Sequence, residues 1–139
     1  RIYSMEFIAA LIVTGSILGA GFLLGYNRDR SYYSTILIVI ALIYVLFGFM
    51  EGEPRRIIVE AVIALLFIVA AIIGERLTHM ITGLFIILHG IYDVFHPQLL
   101  PGEVVPTWYP LFCLYVDLML GFSVIIMNAR GLLRTSRNP

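Results

Sequence analysis

The chain of 139 residues is 60% hydrophobic and 13% charged, and its nine basic and nine acidic side chains cancel to a net charge of zero. Soluble domains are about 45–50% apolar and about 25% charged, so a water-soluble globule would leave much apolar surface wet, and the balanced charge gives no reason to expect nucleic acid as a partner. The composition instead predicts one all-α domain over residues 1–139, an integral membrane bundle whose solvent is the lipid bilayer.

A helix needs about 20 apolar residues to cross roughly 30 Å of hydrocarbon. The first run to approach that length covers residues 5–26 and stops at Asn27-Arg28-Asp29-Arg30-Ser31. It lacks a short hydrophobic region followed by a small-residue cleavage site, so it reads as a span. The second covers 32–50 and is closed by Glu51-Gly52-Glu53-Pro54, where glycine and proline together stop a helix. The third covers 57–74 and the fourth 77–96, with Pro97 expected to end the fourth because the residue before proline is pushed away from helical geometry. A linker with Pro101, Gly102, Pro106 and Pro110 precedes the fifth span, 111–127. Such short loops predict five transmembrane helices in up-and-down topology.

Gly15 with Gly19, and Gly21 with Gly25, have the small-xxx-small spacing that lets helices touch closely, and the two pairs predict packing against two different neighbours. Trp108 and Tyr109 are expected interface anchors. Cys113 is alone and allows no intrachain disulfide.

Five spans put Arg1, Arg55 and Arg56 on one side and Arg28, Arg30, Arg76, Arg130, Arg134 and Arg137 on the other. Positive charge marks the cytoplasm. The expected orientation is N-terminus outside and C-terminus cytoplasmic, in a bacterial inner membrane. Glu6, Glu51, Glu53, Glu60, Asp93, Glu103 and Asp117 then gather toward the outer side, leaving Asp29 and Glu75 inside.

An ionisable group within a span costs roughly 2.5–3.5 kcal/mol on insertion scales and normally faces the bundle interior. His89, Asp93 and His96 fall at i, i+4 and i+7 of the fourth span and form one polar stripe. Asp117 follows Cys113 by four residues in the fifth span, and Glu60 lies just inside the third. Imidazoles and carboxylates from neighbouring helices are what a bundle uses to hold a transition metal such as zinc, iron or copper. The candidate ligands are therefore His89, Asp93, His96, Glu60 and Asp117. His89 and His96 would strain to reach the same ion, so a mononuclear site calls for Glu60 or Asp117 beside one His-Asp pair, and a dinuclear site for Asp93 as bridge.

Two other readings compete. One is a metal-free proton relay or small-ligand pocket, to which Tyr44, on a stripe with Gly48 and Glu51, could add a hydroxyl. The other is ordinary interhelical bonding, with Asp93 accepting from a tyrosine, His96 capping its helix, Asp117 paired with Arg55 or Arg56, and Arg56 paired with Glu60 four residues on. His79 is expected to have no role. Phosphate loops and the HExxH, CxxC and Gly-x-Ser-x-Gly patterns are missing from the sequence.

The segments Asp29-Arg30-Ser31-Tyr32-Tyr33, His89-Gly90-Ile91-Tyr92-Asp93-Val94-Phe95-His96 and Val105-Pro106-Thr107-Trp108-Tyr109-Pro110-Leu111-Phe112-Cys113, followed by Asp117, resemble those of a family of small bacterial multi-pass membrane proteins with no assigned activity. The resemblance implies that the His-Asp-His stripe and the proline-aromatic linker form one site, and it transfers no function. The expected protein is a membrane bundle with an outward-facing intramembrane site for a transition metal or small ligand, in its enzymatic form acting on a lipid-soluble substrate. The alternative is a non-catalytic subunit packed in a homo-oligomer or larger membrane complex.

Overall fold

The computed structural model describes residues 2–133. Arg1, Arg134 and Arg137, which entered the charge count above, lie outside the described residues. Five helices follow one another: α1 (Ile2–Leu23), α2 (Tyr32–Glu51), α3 (Pro54–Leu77), α4 (His79–Leu99) and α5 (Tyr109–Ala129). Each is long and apolar enough to cross a membrane, and no strand occurs among the described residues. The protein is an integral membrane helical bundle.

The boundaries shift from the expected ones for local reasons. α1 stops at Leu23, before the expected 26, because Gly25 turns the chain at φ 77° and Tyr26–Arg28 tighten into a 3-10 turn. At the α2–α3 junction glycine alone stops a helix. Gly52 takes φ 78° and donates its N–H to the Gly48 carbonyl at 3.1 Å, whereas Pro54 begins α3, where its missing N–H would have been unpaired anyway. α3 then runs through Glu75 and Arg76 to Leu77. Extended Thr78 separates it from α4 and accepts from the Met80 N–H through its hydroxyl at 3.3 Å. Pro97 does not end α4, which continues to Leu99. So close to the C-terminus the ring forfeits one bond, to the Asp93 carbonyl, and Leu100 N–H still reaches the His96 carbonyl at 2.8 Å.

α4 is the hub. It packs most extensively on α5 and also touches α3 and α2, while α2 lies along α3 and α1 along α5. The close α4–α5 approach comes from glycine: a Cβ on Gly83 would meet the Gly121 carbonyl at 2.9 Å, and one on Gly121 would meet the Gly83 carbonyl at 2.8 Å. The expected packing of Gly15, Gly19 and Gly25 on neighbouring helices is not seen among the described residues. Nothing lies within 4 Å of a Cβ built on Gly15 or Gly19, and Gly25 serves the turn; Gly21 alone is packed, against Asn27 and Tyr33. Leu37, Ile86, Leu120 and Val124 fill the core, and Ile12, Leu46, Ile58, Leu66 and Ile126 face outward, as a bilayer permits.

Polar straps fix the loops. Glu51 accepts from the Glu103 and Val104 N–H groups at 3.1 and 3.3 Å. Arg56 donates to the Leu100 and Pro101 carbonyls at 2.9 and 2.7 Å, and Arg30 donates to the Glu75 carbonyl at 3.1 Å. In the first loop the Asp29 carboxylate accepts from the Ser31 N–H at 2.9 Å and from its hydroxyl at 2.8 Å. These bonds, the backbone one first, hold the Asp29 carboxyl below its usual range. A carboxyl whose folded pKa is depressed stabilises the fold above its unfolded value, about 3.9, and loses that contribution as pH falls through the folded value. An NMR titration should give Asp29 a midpoint below that of a free aspartate. Ser31→Ala should recover part of the difference; a midpoint unmoved by Ser31→Ala would discount the hydroxyl.

Candidate metal centre

His89 lies ten residues from either end of α4, since 89 − 79 and 99 − 89 are both 10. It is therefore about 15 Å from each end at 1.5 Å per residue. Asp93, one turn on, shares its face. The third member comes from α5, and Gly90 admits it: a Cβ on Gly90 would stand 2.7 Å from the Asp117 Cβ. With hydrogen there instead, the His89 Nδ1 lies 2.9 Å from Asp117 Oδ2 and 3.3 Å from Asp93 Oδ2. One ligand atom from each of His89, Asp93 and Asp117 falls within 4.8 Å of the other two.

The group is dry, His89 being 3% exposed, Asp93 0% and Asp117 2%. It is also short of donors. Both carboxylates converge on one ring nitrogen, which carries at most one proton. Asp117 makes a hydrogen bond with it. Asp93 stands at ion-pair distance, with neither of its buried oxygens hydrogen-bonded. The Tyr44 hydroxyl faces Asp93, where the expected tyrosine partner would stand, at a geometry short of a well-formed hydrogen bond. Cys113 is half-buried nearby.

A second cluster sits nearer the end of the bundle. Glu60 and His96 meet at 2.6 Å between Oε1 and Nε2, and the Tyr92 hydroxyl donates to Glu60 Oε2 at 3.1 Å. Arg56 Nε is 3.8 Å from Glu60 Oε1, the ion pair expected from their spacing. Tyr44 joins the two clusters, its ring stacked on His96 at 3.8 Å and 17° while its hydroxyl faces Asp93. A cavity of about 210 Å³ opens beside this cluster, lined by Arg56, His96, Pro97, Gly102, Pro106 and Pro110 among others.

All five proposed ligands are buried. The fold gathers His89, Asp93 and Asp117 into one group and turns His96 and Glu60 toward each other. Two of the expected ordinary partnerships are corrected. Asp117 pairs with His89, because Arg56 is committed to Glu60 and two loop carbonyls and Arg55 is exposed. The His96 ring binds Glu60 instead of capping its helix, whose last turn is closed by backbone. Sequence reasoning passed over Gly90 and Tyr92, which stand inside the His89–His96 segment. Gly90 could have been found by asking what the neighbour of a buried histidine must leave room for.

The fold and site thus define an integral membrane bundle with a buried His/Asp/Asp group that could hold a metal ion. The chain matches no protein-family model, no curated protein and no solved structure.

Proposed function

We propose that this protein binds a divalent transition-metal ion within the membrane through His89, Asp93 and Asp117. The observation that carries the reading is Asp93, fully buried with neither carboxylate oxygen in a hydrogen bond among the described residues and with His89 and Asp117 converging on the same space. A buried polar group without a partner is costly and calls for an explanation. A divalent cation supplies one. A neutral imidazole, two ionised carboxylates and one such ion sum to zero charge, as an apolar surrounding requires. The mixed nitrogen and oxygen set suits zinc, iron or manganese better than a soft thiophilic ion. Three protein donors also leave positions for water or substrate, the pattern of catalytic sites, so the enzymatic form of this reading is a centre that acts on a lipid-soluble substrate. The test is elemental analysis of protein purified in mild detergent after supplementation with zinc, iron or manganese. The wild type should carry about one ion per chain, as expected for a mononuclear site. His89→Ala, Asp93→Ala and Asp117→Ala should each lose it, while Glu60→Gln should retain it. A metal-free wild type would end the reading, and loss on Glu60→Gln would move the site toward the second cluster.

The orientation belongs to the same proposal. Among the described residues, Arg28, Arg30, Arg76 and Arg130 lie at one end of the bundle and Arg55 and Arg56 at the other, which argues for the first end in the cytoplasm.

One observation favours a second reading, a subunit of a larger assembly. Among the described residues nothing lies within 4 Å of a Cβ built on Gly15 or Gly19, and small residues at this spacing suit close approach by another membrane helix.

A further inference from the structure

A groove of about 530 Å³ lies between the first turns of α1 and α5, walled by Met5, Glu6, Ala9, Val13, Trp108 and Phe112. Among the described residues Glu6 is its single ionisable lining residue, and it is 7% exposed, with Oε2 lacking a hydrogen-bond partner among them. Met5, Ala9, Val13 and Trp108 are exposed, so the groove opens sideways, where the bilayer would lie. Glu6 stands four residues inside the start of α1 (6 − 2), and Trp108 immediately precedes α5. The acidic end of the groove is therefore close to the water interface and its apolar end, toward Val13, is deeper.

We propose that this groove binds a lipophilic amine, an alkylammonium amphiphile with its cationic head at Glu6 and its chain along Ala9 and Val13. Three features select that chemistry. A buried carboxylate oxygen without a donor is compensated by a cation or N–H donor and aggravated by an anion. The indole of Trp108 and the ring of Phe112 share the groove with the carboxylate, and aromatic faces attract ammonium groups, quaternary ones included. The remaining walls are alkyl and offer a hydrocarbon chain nothing to hydrogen-bond. A neutral alcohol would satisfy the oxygen but gain little from the rings, and an alkyl sulfate would be repelled. This site is separate from the metal centre, since none of its residues belongs to either buried cluster.

Trp108 is the chain's single tryptophan, so its fluorescence reports the groove directly. The experiment titrates dodecyltrimethylammonium, dodecanol or dodecyl sulfate, at matched mole fraction, into protein held in dodecyl maltoside micelles. The ammonium should give a saturable change with a midpoint about tenfold lower than dodecanol, the size of effect that an ion pair with an aromatic wall can supply. Dodecyl sulfate should give none. Glu6→Gln should bring the ammonium midpoint up to that of dodecanol, and Val13→Phe, which fills the groove and keeps Glu6, should remove the saturable response. Equal midpoints for the ammonium and the alcohol, or an ammonium midpoint unchanged by Glu6→Gln, would overturn the proposal. Circular dichroism of each variant at unchanged helix content separates loss of the site from loss of the fold.

Discussion

In the presence of chelator, Asp93→Asn should melt at or above the wild type, and in the presence of saturating metal it should melt well below. The crossing follows from what surrounds Asp93. Without a cation its carboxylate competes with Asp117 for a single imidazole nitrogen and leaves two buried oxygens without donors, so an amide of the same shape relieves repulsion and desolvation at little cost. With a cation the same carboxylate is a charged ligand. Removing it should weaken binding by more than the 10–100-fold typical of an outer-shell partner. Metal in thousandfold excess over its dissociation constant stabilises the folded state by about 4 kcal/mol, most of which the variant should forfeit. The effect should also depend on pH in a defined direction. Binding requires a neutral imidazole and ionised carboxylates, so protons compete with metal, and metal-dependent stabilisation of the wild type should grow as pH rises across about 5 to 8. Thermal melts of both proteins with metal and with chelator over that range provide the check. Wild-type curves indifferent to metal, together with a large loss for Asp93→Asn at every pH, would make Asp93 a structural partner and remove the metal reading.

Where α4 and α5 bring their polar residues was only partly legible in the sequence. Apolar length alone located five spans, because in hydrocarbon a backbone must satisfy its own polar groups and only a full-length helix does so. The i, i+4 spacing put His89 and Asp93 on one face for the same reason of geometry. What spacing on one helix could not reveal is which partner each acquires from another helix. His89 and His96 share a stripe, yet the first is drawn to Asp117 on α5 and the second to Glu60 on α3, because α4 is flanked by both helices at different depths. Gly90 decided the first pairing by omitting a side chain, and an absent group leaves no mark in a search for chemistry. Glu6 was counted as one of several carboxylates near the expected outer surface; its burial depends on where α5 crosses α1.

Replacing Gly90 or Gly121, two of the glycines that let α4 approach α5, should be strongly destabilising for a single added methyl. A Cβ on Gly121 would stand 2.8 Å from the Gly83 carbonyl oxygen, and one on Gly90 would stand 2.7 Å from the Asp117 Cβ and 3.5 Å from the Leu114 Cα. These obstacles are backbone, or sit at the root of a side chain, so the helices themselves must separate; overpacking of this kind costs about 1–3 kcal/mol. The two variants should differ in what else they lose. Gly121→Ala sits one turn from Asp117 and should lower the melting temperature while preserving most metal affinity. Gly90→Ala acts on Asp117 directly and lengthens its 2.9 Å contact with His89, so it should lower both stability and affinity. Gly15→Ala is the control, since its added methyl meets nothing within 4 Å and alanine is the better helix former by about 1 kcal/mol. Melts and metal titrations of the three variants would read this out. If Gly90→Ala bound metal as tightly as the wild type, the close approach of Asp117 to His89 would have no part in binding. If Gly15→Ala were as damaging as Gly121→Ala, α1 would be covered by another helix, and the assembly reading would displace that of a bundle working alone.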